Sequence, residues 1–240
     1  GAFDIFIGLR YLPFEEKEYF ELSGYVLSLL SVIYENFDEE RILELLKSHK
    51  IFDFYIHGFS GPFFNKIGVL INLQTILEFR NTGFMEEILN NLEMLKKTAF
   101  QGIYENDSIL KGKSFEIIKK ILISNDNNNP LTFALLEYGF LRPLMEFLGN
   151  SENTEGDTLE TCLRILLQIL SVGDRAPLDG RNQVAEIIND QFAFYQRQFY
   201  DNALNYPQDI YSLFEQIAVI LDHAVNGVTN PNQNDIVANP

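Results

Sequence analysis

The chain has no tryptophan, one cysteine and three histidines among its 240 residues. A lone cysteine, Cys162, excludes a disulfide framework within the chain and points to a reducing, intracellular compartment: the cytoplasm, with the nucleus open beside it. Cys162 sits among leucines with only Arg164 as a basic neighbour, so it reads as an inert core thiol rather than a nucleophile. His49, His57 and His223 show no H-x-x-x-H spacing, and a zinc site would have to gather four ligands from distant places. Positive charge is also scarce. Lys+Arg number 18 against 34 Asp+Glu, a formal charge of -16. That balance excludes nucleic acid and an anionic membrane as main partners, and it suits a protein or peptide partner, a basic one included.

No unbroken apolar run reaches the roughly 18–20 residues of a membrane span. The opening GAFDIFIGLRYLPFEE lacks the basic region of a signal peptide and reads as the edge of an excerpt from a longer protein. Glycine-rich phosphate loops and the G-x-S-x-G elbow are missing. Glu86 and Glu87 are adjacent, so they do not share a helix face for acid–base work. The expectation is a non-enzyme with no cofactor and no metal.

What is present is apolar periodicity. In Thr158–Gly173, TLETCLRILLQILSVG, Leu159, Leu163, Leu166, Leu167 and Leu170 recur at intervals of three and four on one side of a helix. Ile165 and Ile169 widen that stripe enough to demand neighbours on several sides. Asp157 or Thr158 suits its N-cap, and Gly173 suits the residue after its last turn.

The same reading along the chain predicts helices over 15–34 and 39–56, with the Gly58 and Gly61 pair ending the second. Pro62 then opens GPFFNKIGVLINLQTILEF, apolar nearly all round. Gly83 opens FMEEILNNLEMLKKTAF, and SILKGKSFEIIKKILIS follows a turn at Asn106–Asp107. Asn125–Pro130 reads as a loop, with Pro130 able to start the next helix. Gly139 splits 131–148 into two helices, the second with Pro143 near its first turn. DRAPLDGRN is another loop, 184–200 one helix, and Pro207 announces the last. The aromatic run IFDFYIHGF reads as helix rather than strand. Residues 226–240, rich in Asn with little to bury, are expected to be a disordered tail.

Aligning the most apolar helices places Ser31, Thr75, Lys120, Gln168 and Val219 in equivalent positions, with steps of about 44 and 45 and then slightly longer ones, near the period of stacked helical repeats. Each unit orders a shorter amphipathic helix, a Gly-containing turn and a heavily apolar helix. The expected architecture is all-α: a single domain over 1–225 of about five units, in which each repeat leaves an apolar face that its neighbour covers. Exposed positions on the last helix of each unit would line the binding surface.

YGFLRPLMEFLGN, TLETCLRILLQILSVG and YPQDIYSLFEQIAVIL resemble the armadillo-repeat family, and within it the importin alpha group of nuclear-import adaptors. The resemblance implies a right-handed superhelical solenoid that binds an extended protein segment through a ladder of tryptophan and asparagine on its third helices. Here the asparagine rungs fall on Ser31, Thr75, Lys120, Gln168 and Val219, and the tryptophan rungs on Leu27, Ile71, Glu116, Arg164 and Glu215. Only Gln168 keeps an amide, and Lys120 and Arg164 would repel a basic peptide.

The expected function is a protein-binding scaffold or adaptor. Its candidate partner surface is Ser31, Thr75, Glu116, Lys120, Arg164, Gln168 and Glu215. A divergent import adaptor for basic cargo and a non-catalytic regulatory subunit of an enzyme complex are the alternatives. Two further features stand out. The stretch 15–44 holds nine acidic residues against Lys17 and Arg41, a docking region for a basic partner or a solvated surface. The aromatics of NDQFAFYQRQFYDNALNY are too many for one helix face, so some pack on a neighbour and any remainder could anchor an interface.

Overall fold

The computed structural model describes residues 16–48, 51–124, 129–150, 156–175, 181–203 and 206–226. Among these every regular element is helical. They are α1 (Glu16–Asn36), α2 (Glu39–Ser48), α3 (Ile51–Phe59), α4 (Phe63–Ile76), α5 (Gly83–Asn90), α6 (Leu92–Leu95) running into a π-helical turn (Lys96–Phe100), α7 (Ser108–Ser124), α8 (Asn129–Glu137), α9 (Leu141–Gly149), α10 (Gly156–Arg175), α11 (Gln183–Gln191), α12 (Ala193–Ala203) and α13 (Gln208–Asn226). By their contacts they divide into two compact units, residues 1–124 and 125–240.

Packing follows a rule of threes. In the first unit α1 packs on α4 and α4 on α7, while α2 packs on α5 and α3 on α6. In the second, α9 packs on α12 and α10 on α13. These six pairs each join a helix to the one three places on, as expected where a repeat covers its neighbour's apolar face. The repeating element therefore has three helices, not the two read from periodicity. The predicted helix over 39–56 is in fact α2 and α3, and that over 184–200 is α11 and α12. Phe192 breaks the second of these, with φ −121° and ψ 16°.

The long helices supply the core. Val26, Leu27, Leu30 and Tyr34 of α1, Val69, Leu70, Leu73 and Ile76 of α4, and Phe115, Ile117, Ile118, Ile121 and Leu122 of α7 are buried. In the second unit α10 buries Leu159, Cys162, Leu163, Ile165, Leu166, Ile169 and Leu170. Cys162 is the core thiol expected from its leucine setting. A buried aliphatic side chain contributes about 1.5–3 kcal/mol, and the shorter elements and turns add the fully buried rings of Tyr55, Phe59, Phe84, Phe100 and Phe140.

Polar bridges record the repeat spacing. Glu39, the first residue of α2, accepts the backbone N–H groups of Arg80 (3.1 Å) and Asn81 (2.9 Å), just ahead of α5. Lys66 Nζ lies 2.7 Å from Glu105, Lys113 donates to Gln74 at 3.3 Å, and Lys120 Nζ lies 2.7 Å from Glu78. Below α1, the hydroxyls of Tyr34 and Tyr55 meet at 2.7 Å in the core. Burial pushes both phenols above the ordinary tyrosine range, only partly countered at Tyr34 by the bond to Tyr55.

Several local readings are corrected. The aromatic run is the helix α3, as its pattern predicts, but α3 continues through Gly58 to Phe59. Gly173 does not follow α10; it lies inside it, and the helix runs on to Arg175. A Cβ there would collide with Asn182 Oδ1, so glycine is needed for close approach, not for a left-handed turn. The start of α10 at Gly156 also precedes both N-cap candidates, Asp157 and Thr158. The described glycine with positive φ is Gly139 (79°), at the predicted split between α8 and α9. The tail assigned to 226–240 lies outside the described residues beyond Asn226.

Candidate partner-binding groove

The most extensive helix pairing joins α1 and α4, and small or polar residues set it. Gly68 stands where a Cβ would sit 3.3 Å from Leu27 Cβ, so its lack of a side chain lets the two backbones approach. Asn65 and Asn72, two turns apart on α4, both face α1. Asn65 Nδ2 donates to Phe20 O (2.9 Å) and to Ser23 Oγ (2.7 Å). Asn72 Nδ2 donates to Leu27 O (3.0 Å), and its Oδ1 accepts from Ser31 Oγ (2.9 Å). Both asparagines are buried. A buried amide satisfied in this way fixes register, because a slip of one residue would strand it.

Above this seam the side chains diverge and leave a groove of about 970 Å³. Its walls are apolar: Tyr25 from α1, and Phe64, Ile67 and Ile71 from α4. Phe64 is 79% exposed and Tyr25 75%. Two such aromatics facing one groove amount to an exposed apolar patch of the kind that marks interaction sites. The floor is polar but occupied. Asn65 is spent on α1, Ser28 donates to the carbonyl of Gly24 within that helix, and Ser31 donates to Asn72 Oδ1. Lys17 and Glu21 flank one end, 3.9 Å apart and both well exposed.

The seven residues proposed from sequence fall four in the first unit and three in the second. Ser31 lines the groove, as do Leu27 and Ile71 from the tryptophan rungs. Thr75 lies one turn beyond Ile71 and donates to its carbonyl. Glu116 pairs with Lys119 (2.9 Å) and Lys120 with Glu78. In the second unit Arg164 pairs with Glu160 (2.7 Å), Gln168 is half-buried, and Glu215 is exposed. Sequence reasoning missed Tyr25, Phe64 and the two asparagines. The signal was an Asn-x6-Asn spacing inside an otherwise apolar helix, NKIGVLIN, which only a buried polar seam would tolerate.

Other candidates settle simply. Tyr55 is core, His57 is exposed, and Asp53 is half-buried. In the aromatic segment Phe192 is buried, Phe194 is 67% exposed, and Tyr206 stacks on Phe214 at 5.9 Å. Among the described residues no three of His, Cys, Asp and Glu are grouped to hold a metal ion. No described helix is long and apolar enough to cross a membrane. No family model, curated protein or solved structure matches the chain. What the fold and site define is a class: an all-α, repeat-like protein with an open apolar groove.

Proposed function

We propose that the chain is a protein-binding scaffold, a divergent member of the armadillo-like helical repeats, that holds another protein on the surface of stacked three-helix units. One observation carries the reading: the repeat packing leaves large aromatics exposed along the groove between α1 and α4 while the long helices' inner faces are covered. The acidic surplus supports a partner with basic character. Support is weaker for the tryptophan–asparagine ladder of the import adaptors, because Lys120 and Arg164 occupy rungs and are engaged in ion pairs.

Affinity capture from a cell extract, repeated at raised ionic strength, tests the scaffold reading. A defined protein retained at stoichiometric yield is the expected result. Turnover of a small molecule with no protein retained would contradict it. Release of basic cargo or a transport receptor by salt would favour an import adaptor instead.

A further inference from the structure

The groove between α1 and α4 carries enough chemistry to specify its occupant, an assignment that rests on the scaffold reading. Its side-chain donors on the floor are already used. Asn65 Nδ2 is held by Phe20 O and Ser23 Oγ, Ser28 donates within α1, and Ser31 donates to Asn72 Oδ1. An extended segment laid there would bury backbone carbonyls opposite apolar walls without partners, at a cost for each. A helix satisfies its own backbone and presents only side chains, so it suits such walls.

Charge sets the ends. Glu21, Ser28 and Glu35 recur every seven residues on α1 and so form one row, of which Glu21 and Ser28 line the groove and Glu35 stands one turn past Ser31, its last lining residue on α1. The row is acidic at both ends, about 21 Å apart at the helical rise of 1.5 Å per residue. Tyr25 and Val32, exposed and also seven apart, form the apolar row next to it. Among the described residues Glu21 has only the exposed Lys17 as an ion-pair partner, at 3.9 Å. No cation of the described residues pairs with Glu35. The cation of α4, Lys66, is drawn off to Glu105.

We propose that this groove docks an amphipathic helix of another protein, its aliphatic or aromatic face against Tyr25, Phe64 and Ile71, and its lysines or arginines at Glu21 and Glu35. The matching cations on the partner stand about four helical turns apart. Lys17 competes with the partner for Glu21.

The test uses the full chain and two fluorescent helical peptides of about 18 residues, identical in their leucine face. One carries lysines near both ends and the other glutamates. Anisotropy should show one-to-one binding of the lysine peptide, at least about tenfold tighter than the glutamate peptide. Phe64→Ala and Tyr25→Ala should each weaken it about tenfold, with circular dichroism unchanged because both side chains stand in solvent. Glu21→Lys with Glu35→Lys should reverse the preference between peptides, whereas Lys17→Gln should tighten the lysine peptide. The same charge change placed on α2, Glu40→Lys with Glu44→Lys, should shift affinity by no more than about threefold.

Equal binding of both peptides, or binding indifferent to Phe64→Ala, overturns the proposal. So does a dimer by light scattering that Phe64→Ala dissolves, which would make a second copy the occupant. A partner captured from extract and still retained by Phe64→Ala leaves the scaffold reading standing and removes the groove from it. Absence of both peptide binding and capture in the unsubstituted chain removes the two together.

Discussion

Each compact unit contains two asparagines seven residues apart that donate to helix carbonyls, and the two pairs do different things. In the first unit Asn65 and Asn72 both reach one helix, α1, and tie two long helices side by side. In the second, Asn182 donates to Leu170 O of α10 (2.8 Å) while Asn189 donates to Leu221 O of α13 (3.1 Å). There the short helix α11 bridges two long ones, and Asn182 Oδ1 also caps α11 through Ala185 N. The outward faces differ accordingly. α1 and α4 present Tyr25, Val32 and Phe64, whereas α10 presents Arg164 paired to Glu160. Similar polar seams can thus leave an apolar groove open or staple a short helix in place, depending on how many helices the asparagines reach.

Substitutions can break this contrast. Asn72→Ala should cost the most, about 2–3 kcal/mol, because it removes two hydrogen bonds across the seam, to Leu27 O and from Ser31 Oγ, and leaves a void in a buried site. Hydrogen exchange should report the loss in peptides of α1 and α4 and not in those of α10 and α13. Gly173→Ala should cost about 2 kcal/mol in the second unit, since the new Cβ displaces Asn182 from both its cap and Leu170. Exchange should then rise in α10 and α11 alone.

Tyr55→Phe should cost about 1–2 kcal/mol by leaving the buried Tyr34 hydroxyl unpaired, while Tyr34→Phe with Tyr55→Phe should be nearly neutral in urea denaturation. The pair also sets a pH response. Both phenols titrate higher folded than unfolded, so the neutral forms stabilise the fold below the ordinary tyrosine value of 10.0. That contribution fades as pH rises above 10, and the double phenylalanine variant should lose less stability there. Smallest of all, Lys120→Ala and Arg164→Ala should each stay within about 0.5 kcal/mol, since each ion pair has a partner open to solvent.

The helix class was legible in the sequence because apolar spacing in TLETCLRILLQILSVG and SILKGKSFEIIKKILIS reports directly on buried faces. The break at Gly139 was legible too, since glycine adopts φ of 79° without the penalty a Cβ would bring. The three-helix repeat was not. Residues 39–56 and 184–200 keep apolar spacing across their breaks, and tertiary packing decides where the chain turns. Gly173 misled for a related reason, as its role depends on Asn182, nine residues on and outside any helical period. The groove was half visible. Leu27, Ser31 and Ile71 emerged from the repeat alignment, but exposed Tyr25 and Phe64 look like core residues in any reading based on hydropathy. Asn65 and Asn72 mattered through contacts about 45 residues away, which spacing within one helix cannot show.

A double-mutant cycle on Ser31 and Asn72 tests the helix register most directly. Denaturation of Ser31→Ala, Asn72→Ala and the double variant should give a coupling of about 1 kcal/mol, since the two side chains meet at 2.9 Å across 41 residues of chain. Independent, additive losses would mean that α1 and α4 are not held together in this register.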